Sequence, residues 1–220
     1  MQLARFIMAD AITPPVAGCV VDLAEYAHPA ARAAALEDLA GQSGPLAVIV
    51  PGDANAQEIR TAVRSGPKAI VVNDTESVAQ LQGAAAALDE IGAAVGLVAR
   101  ITTGRGLAVA GELAAAHARV AGLWYAMSDL VVDFEDEPPM PFYYDGGETR
   151  LAAPAWSRSL LLTVTRSVGI ELWGQLDLSF ASERKRADRE RAARLGRLSG
   201  FDVLVTRFPL ARSLNAVGTN

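Results

Sequence analysis

Eight apolar runs of strand length recur along this chain of 220 residues, and helical patterns fill most of the gaps between them. The runs lie at 4–10 (ARFIMAD), 18–23 (GCVVDL), 45–53 (PLAVIVPGD), 68–74 (KAIVVND), 94–102 (AVGLVARIT), 120–127 (VAGLWYAM), 170–178 (IELWGQLDL) and 201–208 (FDVLVTRF). Each is nearly continuous in Val, Ile, Leu and Ala, the pattern of parallel strands covered on both faces. Ala- or Leu-rich stretches at 28–42, 55–66, 75–92, 106–118 and 154–169, with a charged helix at 182–197, supply the crossovers. Eight strands with crossover helices predict an α/β fold, a shortened (β/α)8 TIM barrel, with an open doubly wound sheet as the alternative. The chain is long enough for one sizeable core, so residues 1–220 are read as a single barrel domain.

Two departures qualify that barrel. AITPPVA leaves too few residues between the first two strands for an ordinary helical crossover, so the helix between strands one and two is expected to be missing. Residues 131–154, acidic, aromatic and broken by Pro and Gly, read as a long rim loop or lid.

Charge is uneven. Residues 1–149 carry 8 basic and 19 acidic side chains, residues 150–220 carry 12 and 6, and the total is −5. The alternating signs of SERKRADRERAARLGR read as a solvated helix face, or as a basic surface for an anionic cofactor tail. The acidic total and the lack of interleaved aromatics argue against nucleic acid. No long uncharged window and no signal-like start is visible, so no membrane association and a cytoplasmic location are expected. The single Cys19 allows no intramolecular disulfide and reads as a small buried hydrophobe.

In a barrel the chemistry gathers where strands end. Those ends hold Asp10, Asp22 with Glu25, Asp53, Asp74 with Glu76, then Thr102, Thr103 and Arg105, then Asp129, Asp177 and Arg207. Carboxylates of this kind suit a hard divalent cation, general base chemistry or helix capping. Asp53 and Asp74, each ahead of a helical pattern, are expected to cap. Arg105 is placed to hold a carboxylate or phosphate, or to pair with a neighbouring acid. Lys68 opens a strand and Lys185 lies on the charged helix, which disfavours a Schiff base. His28 and His117 sit in helical patterns and read as structural, so a Ser-His-Asp site has no base. The segment ITTGRG (101–106) ends a buried strand and could be a functional rim, a phosphate cradle or a turn; alone it is too short to claim a phosphate loop.

ITTGRGLAVAGELAAAHARVAGLWYAMSDL resembles the block around strands five and six of the citrate lyase beta-subunit-like proteins of the HpcH/HpaI aldolase superfamily, where the stretches read I-E-T-x-R-G, A-x-E-I-A, R-V-x-x-L and G-x-x-D-L. GCVVDLAEYAHPAARAAA is similar to that family's D-L-E-D-A-V-x-P strand-two motif, and GFDVLVTRFP to its G-F-D-G-K-x-x-I-H-P. The likeness spans most of residues 18–216. It implies an oligomeric, often trimeric, (β/α)8 lyase or aldolase acting beside a carboxylate, commonly on an acyl-CoA, with magnesium. It also implies Asp129 as a metal ligand, while Thr102 stands where the family has its other ligand, a Glu. Asp22 and Glu25 fall on D-L-E-D with one acid gone, the strand-three Arg is absent, and the His of I-H-P is Phe208. A Thr hydroxyl is a poor magnesium ligand beside carboxylates, which counts against the metal.

Three functions compete. The first is a divergent carbon–carbon lyase on a carboxylated or acyl-thioester substrate, with Asp22, Glu25, Arg105 and Asp129 catalytic and Thr102, Thr103, Arg207, Phe208 and Trp173 around the substrate. The second is a barrel repurposed for a more apolar small molecule, its pocket built from Trp124, Tyr125, Trp173, Phe208 and the Tyr143, Tyr144 lid. The third is a non-catalytic homologue that contributes an interface.

Overall fold

The computed structural model describes residues 4–8, 19–23, 47–133, 152–175 and 200–207. All eight expected strands form: β1 (Ala4–Met8), β2 (Cys19–Asp22), β3 (Ala47–Val50), β4 (Ala69–Val72), β5 (Gly96–Ile101), β6 (Val120–Tyr125), β7 (Glu171–Gln175) and β8 (Val203–Arg207). Each pairs in parallel with the next, and β8 closes on β1 from Ala4↔Val203 to Met8↔Arg207. The sheet is therefore a closed barrel, and the open doubly wound alternative falls. Closure removes every sheet edge, so no row of backbone donors and acceptors is left for another chain to pair with.

The alternation of strand residues builds two separate cores. Inward positions such as Val20, Ile49, Val71, Val98, Trp124, Trp173 and Val205 pack together inside the barrel. Outward positions such as Val48, Ile70, Leu97, Ile101, Leu123 and Tyr125 pack against the helices. Most of the strand side chains described are buried on one side or the other, which is why the strands read as nearly continuous apolar runs.

The helices are α1 (Ala56–Arg64), α2 (Val78–Glu90), α3 (Gly104–Ala108), α4 (Ala110–Ala114), α5 (Met127–Asp133) and α6 (Ala152–Val168). Their starts correct the expected caps. Asn55 rather than Asp53 caps α1, because Glu58 stands three residues on and closes a capping box: Asn55 Oδ1 accepts from the amides of Gln57 and Glu58, and Glu58 Oε2 accepts from the Asn55 amide. Ser77 rather than Asp74 is the cap of α2, with Gln80 Oε1 accepting from the amides of Glu76 and Ser77. The stretch 106–118, expected as one helix, is two short ones that meet at Val109. Residues 131–133 and 152–154, the ends of the expected lid, are helical. The rest of that stretch, residues 134–151, lies outside the described residues, as do the segment between β1 and β2, where a helix was expected to be missing, and the helices at 28–42 and 182–197. No described helix is long and apolar enough to cross a membrane.

Candidate functional site

The C-terminal ends of β4, β5 and β6 bring one connected polar cluster to the mouth of the barrel. Its centre is Arg100, on β5. Inward-facing Val98 lies two residues before it, so strand alternation turns Arg100 into the barrel, where its side chain is only 12% exposed. Nη2 donates to Asp129 Oδ2 at 2.6 Å and Nη1 to Asn73 Oδ1 at 2.5 Å. Its register partner on β6 is Trp124, and the guanidinium carbon stands 5.5 Å from that ring, within cation–π range. Trp124 in turn pairs with Trp173 on β7, ring centroids 6.0 Å apart. Arg100 Nε and Trp124 Nε1 are buried and meet no hydrogen-bond partner among the described residues. A buried donor left so costs about 1–3 kcal/mol.

Asp129 stands in the first turn of α5 with its side chain 42% exposed, so it faces the mouth while Arg100 lies beneath it. Burial raises its pKa, Arg100 pulls it down and the charge of Asp74 pushes it up again, with a net rise. Asp74 itself adopts φ 45°, a left-handed conformation that Asp tolerates better than most residues. That turn presents Oδ1 to the Thr102 hydroxyl, which donates at 2.6 Å, and Oδ2 to Asn73 Nδ2 at 2.9 Å.

The second cluster answers what ITTGRG holds. Thr103 caps α3 by accepting from the Gly106 amide, and its hydroxyl donates to Glu76 Oε1 at 2.8 Å. The Gly104 amide, which a phosphate cradle would offer to its ligand, donates to Asp133 Oδ2 at 2.6 Å. Gly106 is present because a Cβ there would stand 2.4 Å from the Thr75 carbonyl oxygen. The segment is thus a helix start packed tightly on the neighbouring strand end.

The expected site residues separate accordingly. Asp129, Thr102 and Thr103 lie at the mouth. Asp22 ends β2 on the interior face that Val20 shares, half-buried. Arg105 is 78% exposed and pairs with Glu76 at 3.3 Å, the neighbouring-acid alternative. Arg207 ends β8. Trp173 is packed in the barrel interior, its Nε1 donating to Glu171 Oε2 at 2.8 Å. Glu25 and Phe208 lie outside the described residues. Of the aromatic pocket, Trp124 and Trp173 fill the barrel interior and Tyr125 faces the helices, its hydroxyl accepting from Ser157 and its pKa pushed up to about 12 by burial; Tyr143, Tyr144 and Phe208 are not among the described residues. Lys68 is exposed and directly precedes β4, at the opposite end of the barrel. Arg100 and Asn73 were not expected, although one charged residue inside GLVARI was the signal that would have found Arg100.

These residues do not fit magnesium. Among the described residues no group of three or more His, Cys, Asp or Glu gathers into a metal site. Asp129 Oδ2 already holds a guanidinium, and Thr102 donates its proton to Asp74 instead of offering a lone pair to a metal. Before the attraction of the neighbouring acids is counted, a divalent ion about 4 Å from the guanidinium would be repelled by about 8 kcal/mol at the effective dielectric of a site near the surface.

No family's sequence profile matches the chain, and no curated protein matches it. Solved structures do. RipC from Yersinia pestis is 20% identical, with 100% of this chain and 96% of that one covered and a TM-score of 0.71. A citrate lyase from Burkholderia xenovorans LB400 is 16% identical, with 98% and 77% covered and a TM-score of 0.75. CitE from Mycobacterium tuberculosis, solved in complex with magnesium, acetoacetate and coenzyme A, is 18% identical, with 97% and 80% covered and a TM-score of 0.71. The fold is thus a (β/α)8 barrel, and its structural neighbours are barrels of the citrate lyase type.

Proposed function

We propose that the protein is a carbon–carbon lyase of aldolase type, acting on a β-hydroxy acid or its acyl thioester at the barrel mouth. The observation that carries this reading is the Arg100–Asp129 pair, a largely covered guanidinium under a half-exposed carboxylate, in a fold shared with citrate lyases. That CitE was solved with acetoacetate and coenzyme A supports the ligand class.

The chemistry follows from the two charges. Asp129 takes the proton from the substrate's β-hydroxyl, and burial, by raising its pKa, makes it a stronger acceptor than a surface aspartate. The O–H electron pair closes a carbonyl, the C–C bond breaks, and its electrons pass into an enolate on the fragment bearing the carboxylate or thioester. Arg100 holds the enolate oxygen, and the enolate carbon then takes up the proton that Asp129 received, which returns Asp129 to its ionised form. No lysine is needed. Cleavage would be followed by NMR on a panel of β-hydroxy acids, free and as coenzyme A thioesters. One or more should yield a carbonyl product, and Asp129→Asn or Arg100→Met should lower kcat by about a hundredfold or more with the circular dichroism unchanged. Absence of cleavage across both substrate classes would remove the reading.

A further inference from the structure

We propose that Arg100 is the fixed cation of this site, taking the place of a divalent metal, so that the barrel binds a carboxylate or enolate oxygen without magnesium. The inference takes its ligand class from the function proposed above and states how that same site recognises it.

Three observations converge on it. The guanidinium is held in place: Asp129 takes Nη2, Asn73 takes Nη1 and the Trp124 ring lies beside the guanidinium carbon. A cation fixed in this way is already oriented when charge develops on a ligand, as a coordinated metal is. Its donors are not exhausted either, because a guanidinium carries five N–H groups and Asn73 and Asp129 take only one each from Nη1 and Nη2. A planar carboxylate or enolate is the kind of acceptor that such a fork matches. Finally, three acids of this cluster are engaged with the chain's own donors: Asp129 with Arg100, Asp74 with Thr102 and Asn73, Glu76 with Thr103 and Arg105. A metal drawn to Asp129 would have to displace the guanidinium that already neutralises it.

The exchange of a metal for an arginine also accounts for Thr102. With Arg100 beneath Asp129, a second carboxylate at position 102 has no cation to share, and a hydroxyl that donates to Asp74 serves that turn better.

Calorimetric titration of the full chain decides the matter, with oxalate as the planar dicarboxylate probe and with magnesium and manganese titrated separately. Oxalate should bind in excess EDTA, with an affinity for free oxalate, corrected for the fraction that magnesium chelates in solution, that changes less than about twofold when magnesium replaces the chelator, since the guanidinium supplies the positive charge. Arg100→Met should weaken it by about thirtyfold or more. Arg100→Lys, which keeps the charge and loses the fork, should fall between the two and guards against a variant that merely fails to fold. Magnesium and manganese alone should give no binding heat. The inference is overturned if oxalate binds only with metal present, if either metal binds the wild-type chain and Asp129→Asn abolishes it, or if oxalate binds in neither buffer. The cleavage assay judges the proposed reaction separately, so a lyase that turns out to need magnesium would sink this inference and leave that reading standing.

Discussion

The Asp129 carboxyl is pulled in two directions. Burial and the Asp74 charge raise its pKa, and the Arg100 guanidinium lowers it, with a net rise. A raised folded-state pKa means that ionising Asp129 works against stability at neutral pH and that this cost disappears as pH falls through the raised value. Catalysis runs the other way, because the reaction proposed for Asp129 needs the ionised form. Activity should therefore climb with pH through an ionisation above that of an ordinary aspartate. Asp74→Asn removes one of the two raising influences and keeps a residue that tolerates the left-handed turn. The acid limb of the kcat/KM profile should then shift to lower pH; a limb that stays put or moves upward would show that Asp74 does not tune the site. Residue-level reading of the sequence captured half of this picture. Asp129, Thr102 and Thr103 follow strand ends, where function was expected, whereas Arg100 lies within β5 and Asn73 directly after β4, and neither belongs to a motif. Whether a strand residue points inward depends on a register that only the pairing of neighbours sets.

At the scale of elements, the helix starts show how fine that limit is. Asp53 and Asn55 are both good caps two residues apart, and Glu58, three residues after Asn55, decides between them. Asp74 lost its capping role to Ser77 because its side chain is turned to Thr102. The close approach at Gly106 makes a sharper test. Gly106→Ala places a Cβ 2.4 Å from a backbone oxygen and should lower stability by about 1–3 kcal/mol. Gly111→Ala, in α4 with open space around it, should raise stability by about 0.5–1 kcal/mol. Denaturant midpoints would compare them, and equal effects at the two glycines would refute the packing argument. A second bracket ties α6 to the β7–β8 junction: Arg166 donates twice to Asp202, which also accepts from the Leu172 amide. Burial alone would raise the Asp202 pKa, but these bonds and the Arg166 charge bring it below the usual value. Its stabilisation is therefore present above the unfolded aspartate pKa of about 3.9 and lost as pH falls through the lowered folded one. Asp202→Asn should cost about 2 kcal/mol at neutral pH. The gap to wild type should close in acid, and a gap that persists there would mean the bracket does not act through charge.

For the whole molecule, the eight-strand order was legible because each strand is apolar on both faces and the helical stretches between most of them set the crossovers. Closure was not written in any one segment; it rests on β8 pairing with β1 across nearly the full chain. The same closure places Arg100 over an interior in which Trp124 and Trp173 pack, so the site has an apolar base. In the reaction proposed, guanidinium and carboxylate act there as one unit. A double-mutant cycle on the cleavage rate, with Arg100→Met, Asp129→Asn and the pair combined, tests it most directly. If the two act together, the double variant should lose little more than the worse single one. Losses that simply multiply, or single variants that cleave at the wild-type rate, would contradict it.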